Sequence, residues 1–246
     1  MADPVHLVIL LTFLLAGAIK GVIGLGLPTV AVGLLSLVMT PVEAASLLVV
    51  PSLVTNIWQL ALGPSLRPLI HRLGPMMVGI CLGTLAGTGL LTSTSAGEAT
   101  TALGIALVVY AVLGLTSRRF AVPAGNERWL GPAIGAATGL VTAATGVFVI
   151  PAVPYLQALG FDKDDLVQAL GLSFTVSTIA LAASLAHEGV LGAAGAGASF
   201  LALLPALAGM GLGQWIRGRV SAETFRRCFF VGLLLLGLHL ASRALL

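Results

Sequence analysis

Lys20 is the single Lys or Arg set well inside a hydrophobic stretch of this chain. An ionisable side chain in apolar surroundings is costly, and its presence is a functional hypothesis by default. It stands beside a glycine-rich break, Gly21, Gly24 and Gly26 followed by Pro28, where the backbone can turn sharply and leave amides uncommitted. A helix restarting at such a break points its N-terminal N–H groups and positive dipole end into the surrounding cavity. The chemistry expected of Lys20, Gly24, Gly26 and Thr29 is the reversible holding of an anion. A second break, around Gly139–Gly146, offers Thr142, Thr145 and Gly146, with Thr138 where the first has Lys20. For Lys20 another reading stands open, a side chain that snorkels to an interface. Gly17 and Gly33 fit close helix packing instead.

A polar stripe follows each break. Ser52, Thr55, Asn56 and Gln59 recur at the spacing of one helix face. Its counterpart carries Ser173, Ser177 and Ser184, with Thr175 and Thr178 beside them. Ser and Thr inside membrane helices usually bond their own backbone or a neighbour. Asn56 and Gln59 are harder to dismiss, because an unsatisfied amide in hydrocarbon is expensive. No Asp or Glu lies deep in a stretch once helix starts are set aside, so an anionic or neutral substrate fits better than a cation. Cys81 and Cys228 have no ligand-like neighbours, and His6, His187 and His239 have no partner at metal-ligand spacing. No metal, cofactor or catalytic constellation is expected, and the chain does not read as an enzyme.

The elements that must position these residues are dictated by composition. Apolar residues make up 58% of the 246 and charged residues only 9%, against roughly 45–50% and about 25% in ordinary soluble domains. So few charges cannot cover a soluble particle of this size. About 20 apolar residues cross a bilayer core as a helix. Hydrophobic stretches at 5–39, 44–62, 75–92, 99–116, 129–160, 166–186, 189–215 and 224–245 therefore imply an all-α polytopic membrane protein. The net charge of +3 is spread between these stretches, which is no nucleic-acid signal. Thr40-Pro-Val-Glu43 and Ser95-Ala-Gly-Glu98 have the form of capping boxes, and Asp162–Asp165 and Ser221–Glu223 are close relatives. The start Met1-Ala-Asp-Pro4 lacks the positive region of a signal peptide, so the first segment is expected to persist.

The chain also resembles itself. Gly17–Gly26 and Gly135–Ala144 open two halves, Ser52 aligns with Ser177, Gly87-Thr-Gly89 with Gly209-Met-Gly211, and Gly114-Leu115 with Gly237-Leu238. The expected repeats are 1–120 and 121–246, forming one membrane domain. Loop charge then sets topology. If every stretch crosses once, the two sides carry six and five Lys/Arg, contrary to the positive-inside rule. If 5–39 and 129–160 each enter and return on one side, ten share a face and only Arg243 opposes them. That makes the repeats inverted, each a broken, hairpin-like pair of short helices followed by three transmembrane helices. Their apices are expected to meet inside the membrane.

Gly17–Pro28, Pro41 with Glu43-Ala-Ala, the Ser/Thr helix and the looser second copy from Gly135 resemble the sulfite exporter TauE/SafE family, also called toluene-sulfonate uptake permeases. The second break departs from the usual pattern, with Val141-Thr-Ala-Ala-Thr145 in place of glycines. The resemblance implies transport of sulfite, organosulfonates or related small anions across the bacterial inner membrane without ATP hydrolysis. The expected partners are such an anion and the bilayer; a homo-oligomer stays open. The expected binding residues are Lys20, Gly24, Gly26, Thr29, Ser52, Asn56, Gln59, Thr142, Thr145, Gly146, Ser173 and Ser177. A passive channel of the same architecture, or a membrane scaffold, are the alternatives.

Overall fold

The computed structural model describes residues 4–116, 121–123, 125–191 and 193–243. Among the described residues every regular element is a helix: α1 (Pro4–Ile23), α2 (Leu27–Leu35), α3 (Pro41–Ala61), α4 (Leu66–Ala86), α5 (Leu90–Ser93), α6 (Ala96–Leu115), α7 (Glu127–Thr145), α8 (Ala152–Ala158), α9 (Lys163–His187), α10 (Ala193–Arg217) and α11 (Ala222–Ser242). Seven of the described helical segments are long and apolar enough to cross a membrane. The chain is an integral, multi-pass membrane protein. Large apolar side chains such as Leu7, Leu62, Leu201 and Leu204 stay exposed, as lipid-facing surface requires.

Capping chemistry starts the helices largely as the sequence implies. Thr40 accepts a hydrogen bond from the Glu43 amide while Glu43 Oε2 accepts one from the Thr40 amide, and Ser95 with Glu98 does the same. Ser221 accepts from the Thr224 amide. Asp162 is a correction, since its side chain makes no capping bond to α9. The stretch expected at 75–92 also differs. Its helix begins at Leu66, because Arg67, His71 and Arg72 form an amphipathic first half that hydropathy alone excludes, and it ends early at Ala86, capped by Gly87, before α5 restarts after Gly89 at φ 88°.

The two long hydrophobic stretches are broken within or near the expected segments, but their arms are unequal. Twenty-residue α1 precedes nine-residue α2, and nineteen-residue α7 precedes seven-residue α8. Pairs of short helices are thus corrected to one long arm and one short. Gly21 lies inside α1, and α7 runs on to Thr145, so the second break begins at Gly146 rather than at Gly139. In both cases the helix continues because its glycines are packing against another helix.

That packing is close. A methyl group on Gly17 would lie 2.1 Å from the carbonyl oxygen of Ala206, and one on Gly21 2.3 Å from that of Met210. Gly209 and Gly213 of α10 approach Leu14 and Ala18 equally tightly, at 2.0 Å. Gly79 and Gly83 of α4 meet α7 at Pro132 and Ala136, and Gly135 and Gly139 meet Met76 and Ile80 in return, all within 2.3 Å. Small residues four apart let membrane helices pack backbone to backbone. The pairing of Gly87 with Gly209 is therefore out of register: Gly209 does the work of Gly79 or Gly83, while Gly87–Gly89 ends α4. The advancing order of contacts makes α1 parallel to α10 and α4 parallel to α7.

α3 and α9 form the centre, with 56% and 72% of their apolar spans buried against 33% for α10 and 28% for α11. They run antiparallel, since Leu60 meets Gly171 while Ser52 meets Thr178. α6 and α11 are antiparallel too, with Gly104 against Gly237 and Ala241, and Gly114 against Phe230. Arg72 clamps one end of the bundle: its guanidinium donates to both Glu127 carboxylate oxygens, at 2.8 and 2.6 Å, and to the Leu159 carbonyl at 3.1 Å. At the other end Arg243 donates to the Ser36 and Leu37 carbonyls just past α2, a favourable place for a cation.

Candidate functional site

Lys20 lies in the last turn of α1, and its partners come from α3. Its Nζ donates to Thr55 Oγ1 at 3.1 Å and to Asn56 Oδ1. The residue is 4% exposed, so it does not snorkel. Asn56 Nδ2 donates to Ser52 Oγ at 3.0 Å and Thr178 Oγ1 at 3.3 Å, and the two hydroxyls lie 3.1 Å apart. Thr55 donates to the Pro51 carbonyl at 2.7 Å and Thr178 to the Phe174 carbonyl at 2.7 Å. The predicted stripe on α3 is thus a continuous buried network from α1 to α9. All the oxygens around Lys20 are neutral, and among the described residues no carboxylate pairs with it. A buried cation without a counter-charge is electrostatically incomplete.

Pro51 helps build this network. Lacking an N–H, it cannot bond back to Leu47, and Ser199 of α10 donates to that free carbonyl at 2.9 Å while accepting from the Val50 amide at 3.1 Å. One turn beyond Asn56, Gln59 Nε2 donates to the Gly24 carbonyl at 3.1 Å and the Val167 carbonyl at 2.9 Å, leaving its Oε1 buried with no partner among the described residues. Gly24 and Gly26 take φ of 77° and 105°, a region closed to most side chains. Thr29, fully buried, spends its hydroxyl on the Gly26 carbonyl at 2.9 Å. α2 restarts at Gly26 with no side-chain cap, so its first amides stay available.

The second break is built differently. Thr138, Thr142 and Thr145 each donate to the carbonyl four residues earlier, at 2.7 Å, and Thr145 also accepts from the Val147 amide. Gly146, at φ 72°, would place a methyl group 2.9 Å from Ala45 Cβ. Gly24 instead neighbours Gln59, so the breaks touch α3 roughly 20 Å apart at about 1.5 Å per residue. The expectation that the two apices meet is corrected. Each break reaches the opening turns of a central helix in the other half, Gly24 at Val167 and Gly146 at Ala45.

Ser173 and Ser177 lie on the α9 face whose next member, Ser184, donates to Thr88, just past α4, at 3.3 Å. Among the described residues both hydroxyls are buried without a hydrogen-bond partner, as is that of Thr84, one turn before Thr88. Buried polar atoms normally find partners, so these three mark a face with capacity to bind. The structure therefore joins Lys20, Ser52 and Asn56, sets Gln59, Gly24, Gly26 and Thr29 one turn away, and leaves Thr142, Thr145 and Gly146 at the far break.

A match to the family model for the sulfite exporter TauE/SafE covers residues 9–240. The chain belongs to that family. The membership fits an integral protein of a bacterial inner membrane and makes the chain a member of a transporter family. No curated protein and no solved structure matches it. Sequence reasoning placed Thr55 and Thr178 on or beside the stripes without counting them as ligands, since single threonines in membrane helices usually bond their own backbone. It missed Gln168, which donates to the Leu60 and Gly63 carbonyls at 2.8 and 2.9 Å and accepts from the Ser65 amide at 2.7 Å, closing the end of α3. A second buried amide at the start of a central helix was the available signal.

Proposed function

We propose that the protein is a secondary transporter, not an enzyme, that moves a small oxyanion such as sulfite or an organosulfonate. The observation that carries this reading is the buried Lys20, held by neutral oxygens with no carboxylate among the described residues. An anion arriving beside it would supply the missing counter-charge. The amides at the start of α2 and the hydroxyls of Ser52 and Thr178 lie on elements next to it, and Thr84, Ser173 and Ser177 offer free hydroxyls deeper between α4 and α9.

Residues 1–120 and 121–246 act as inverted repeats in this proposal, supported by the antiparallel pairings of α3 with α9 and α6 with α11. Alternating access follows from rocking the broken segments against the central helices. The end carrying Arg72, Arg128, Arg217 and Arg226 faces the cytoplasm, as the positive-inside rule directs. All three tryptophans, Trp58, Trp129 and Trp215, are exposed near that end, where an interfacial belt belongs.

The test is flux of labelled sulfite and benzenesulfonate into proteoliposomes. Saturable uptake with counterflow is the expected result. Conductance without saturation would make the protein a channel, and no flux of any anion in a panel would make it a scaffold; either outcome overturns the carrier.

A further inference from the structure

A cavity of about 980 Å³ opens at the arginine-bearing end, lined among others by Tyr110, Gln157, Glu223, Arg226, Arg227 and Phe230. Tyr110 is 2% exposed, and its hydroxyl has no hydrogen-bond partner among the described residues. Phe230 meets its ring edge-on at a centroid distance of 5.2 Å, holding the ring in the cavity wall. Arg226 also has a buried Nε without a partner among the described residues, although its Nη2 lies 3.5 Å from Glu223 Oε2. Glu223 is shared with Arg227, whose Nε donates to it at 3.1 Å. One carboxylate therefore serves two guanidinium groups, and a positive charge is left over.

We infer that this cavity is a second oxyanion site, a vestibule in which Arg226 and Tyr110 donate to a sulfonate- or phosphate-type group. A buried hydroxyl and a buried guanidinium N–H without acceptors are both costly. An anionic oxygen would satisfy both, and charge-assisted bonds are the strong ones. The volume falls within the range of small-molecule sites and leaves room for an organic group behind the charged head. The cavity also backs onto the first break. Leu166, in its wall, precedes the Val167 whose carbonyl takes Gln59, and Phe230 follows Phe229, whose ring lies 3.1 Å from where a methyl group on Gly26 would sit. An anion held here waits beside the route to Lys20. This inference rests on the transport reading for its role, not for its chemistry.

The experiment uses full-length protein in phosphatidylcholine nanodiscs, titrated with benzenesulfonate and followed by calorimetry and by the thermal transition. Tyr110→Phe removes only the hydroxyl and Arg226→Gln the charge; each should weaken binding on the order of tenfold. Without ligand, Tyr110→Phe should unfold at no lower temperature than wild type, because it deletes an orphaned group, and benzenesulfonate should raise that temperature less. Unchanged affinity in both variants overturns the site. Repeating the titration in discs containing phosphatidylglycerol separates the two sources of such a group. A lipid retained by wild type, lost from Arg226→Gln in native mass spectrometry and displaced by benzenesulfonate identifies a headgroup. Equal binding in both disc types identifies a free anion. In a Lys20→Gln background the cavity should still bind, and loss there overturns a separate site. Binding retained with transport abolished supports the vestibule, whatever the transport assay says of the buried cluster.

Discussion

α1 and α7 meet their partner helices in the same way, Gly17 and Gly21 against α10 as Gly135 and Gly139 against α4. Each then breaks at a glycine with positive φ and continues as a shorter helix. The chemistry differs. Lys20 reaches across to Thr55 and Asn56 of α3, whereas Thr138 spends its hydroxyl on the Ile134 carbonyl of its own helix. At the first break Gln59 crosses to Gly24, while at the second Thr145 serves the loop locally. Close packing is thus duplicated, while a buried cation bonded across to a central helix belongs to the first break alone among the described residues. One reason is electrostatic: a second buried cation would add another desolvation cost.

The largest effect expected is all-or-none. If the two halves are inverted, single cysteines at Ala96 and Glu188 should be labelled from the periplasm, and those at Gly125 and Gly218 only from the cytoplasm. Labelling of positions 188 and 218 in any other arrangement would end the inverted comparison. Next come Gly17→Leu and Gly135→Leu, which force side chains into backbone carbonyls. Both should lose folded protein in size-exclusion profiles, at a cost of about 1–3 kcal/mol or more each. Gly232→Leu, with open space around it, should be nearly neutral. A clear difference between the first two would break the equivalence of the packing.

The chemical asymmetry is tested by charge. Anion affinity should fall in the order wild type, Lys20→Arg, Lys20→Gln, Lys20→Glu, with Lys20→Gln costing on the order of 1–3 kcal/mol. Thr138→Val should leave affinity close to wild type, because its hydroxyl already has a backbone partner. Equal losses at positions 20 and 138, measured by scintillation proximity, would place binding in both halves. The smallest contrast lies along α3. Asn56→Leu strips partners from Lys20, Ser52 and Thr178 and should slow transport several-fold more than Ser46→Leu, on the order of 1 kcal/mol. Among the described residues the Ser46 hydroxyl bonds the Val42 carbonyl of its own helix alone, at 3.0 Å. Matched rates at matched abundance would reduce the stripe to packing.

Much of this molecule is written locally in the sequence. The near absence of charge forces a membrane, Thr40 with Glu43 and Ser95 with Glu98 start their helices, and the period of Ser52, Thr55, Asn56 and Gln59 puts them on one face. Each depends on residues within a few turns of one another, where spacing and geometry are tied together. What lies across the bundle was settled only by tertiary packing. Whether Lys20 snorkelled or turned inward depended on α3 standing beside α1, and no local pattern states that neighbour. The glycines of α1 and α7 could serve a break or an interface, and the partner helices α10 and α4 decided for the interface at Gly21 and Gly139. The separation of the two breaks, and the unpaired groups of Tyr110 and Arg226 in one cavity, come from the same cause. Burial and hydrogen-bond satisfaction belong to surfaces shared by distant segments, and only the folded chain brings those surfaces together.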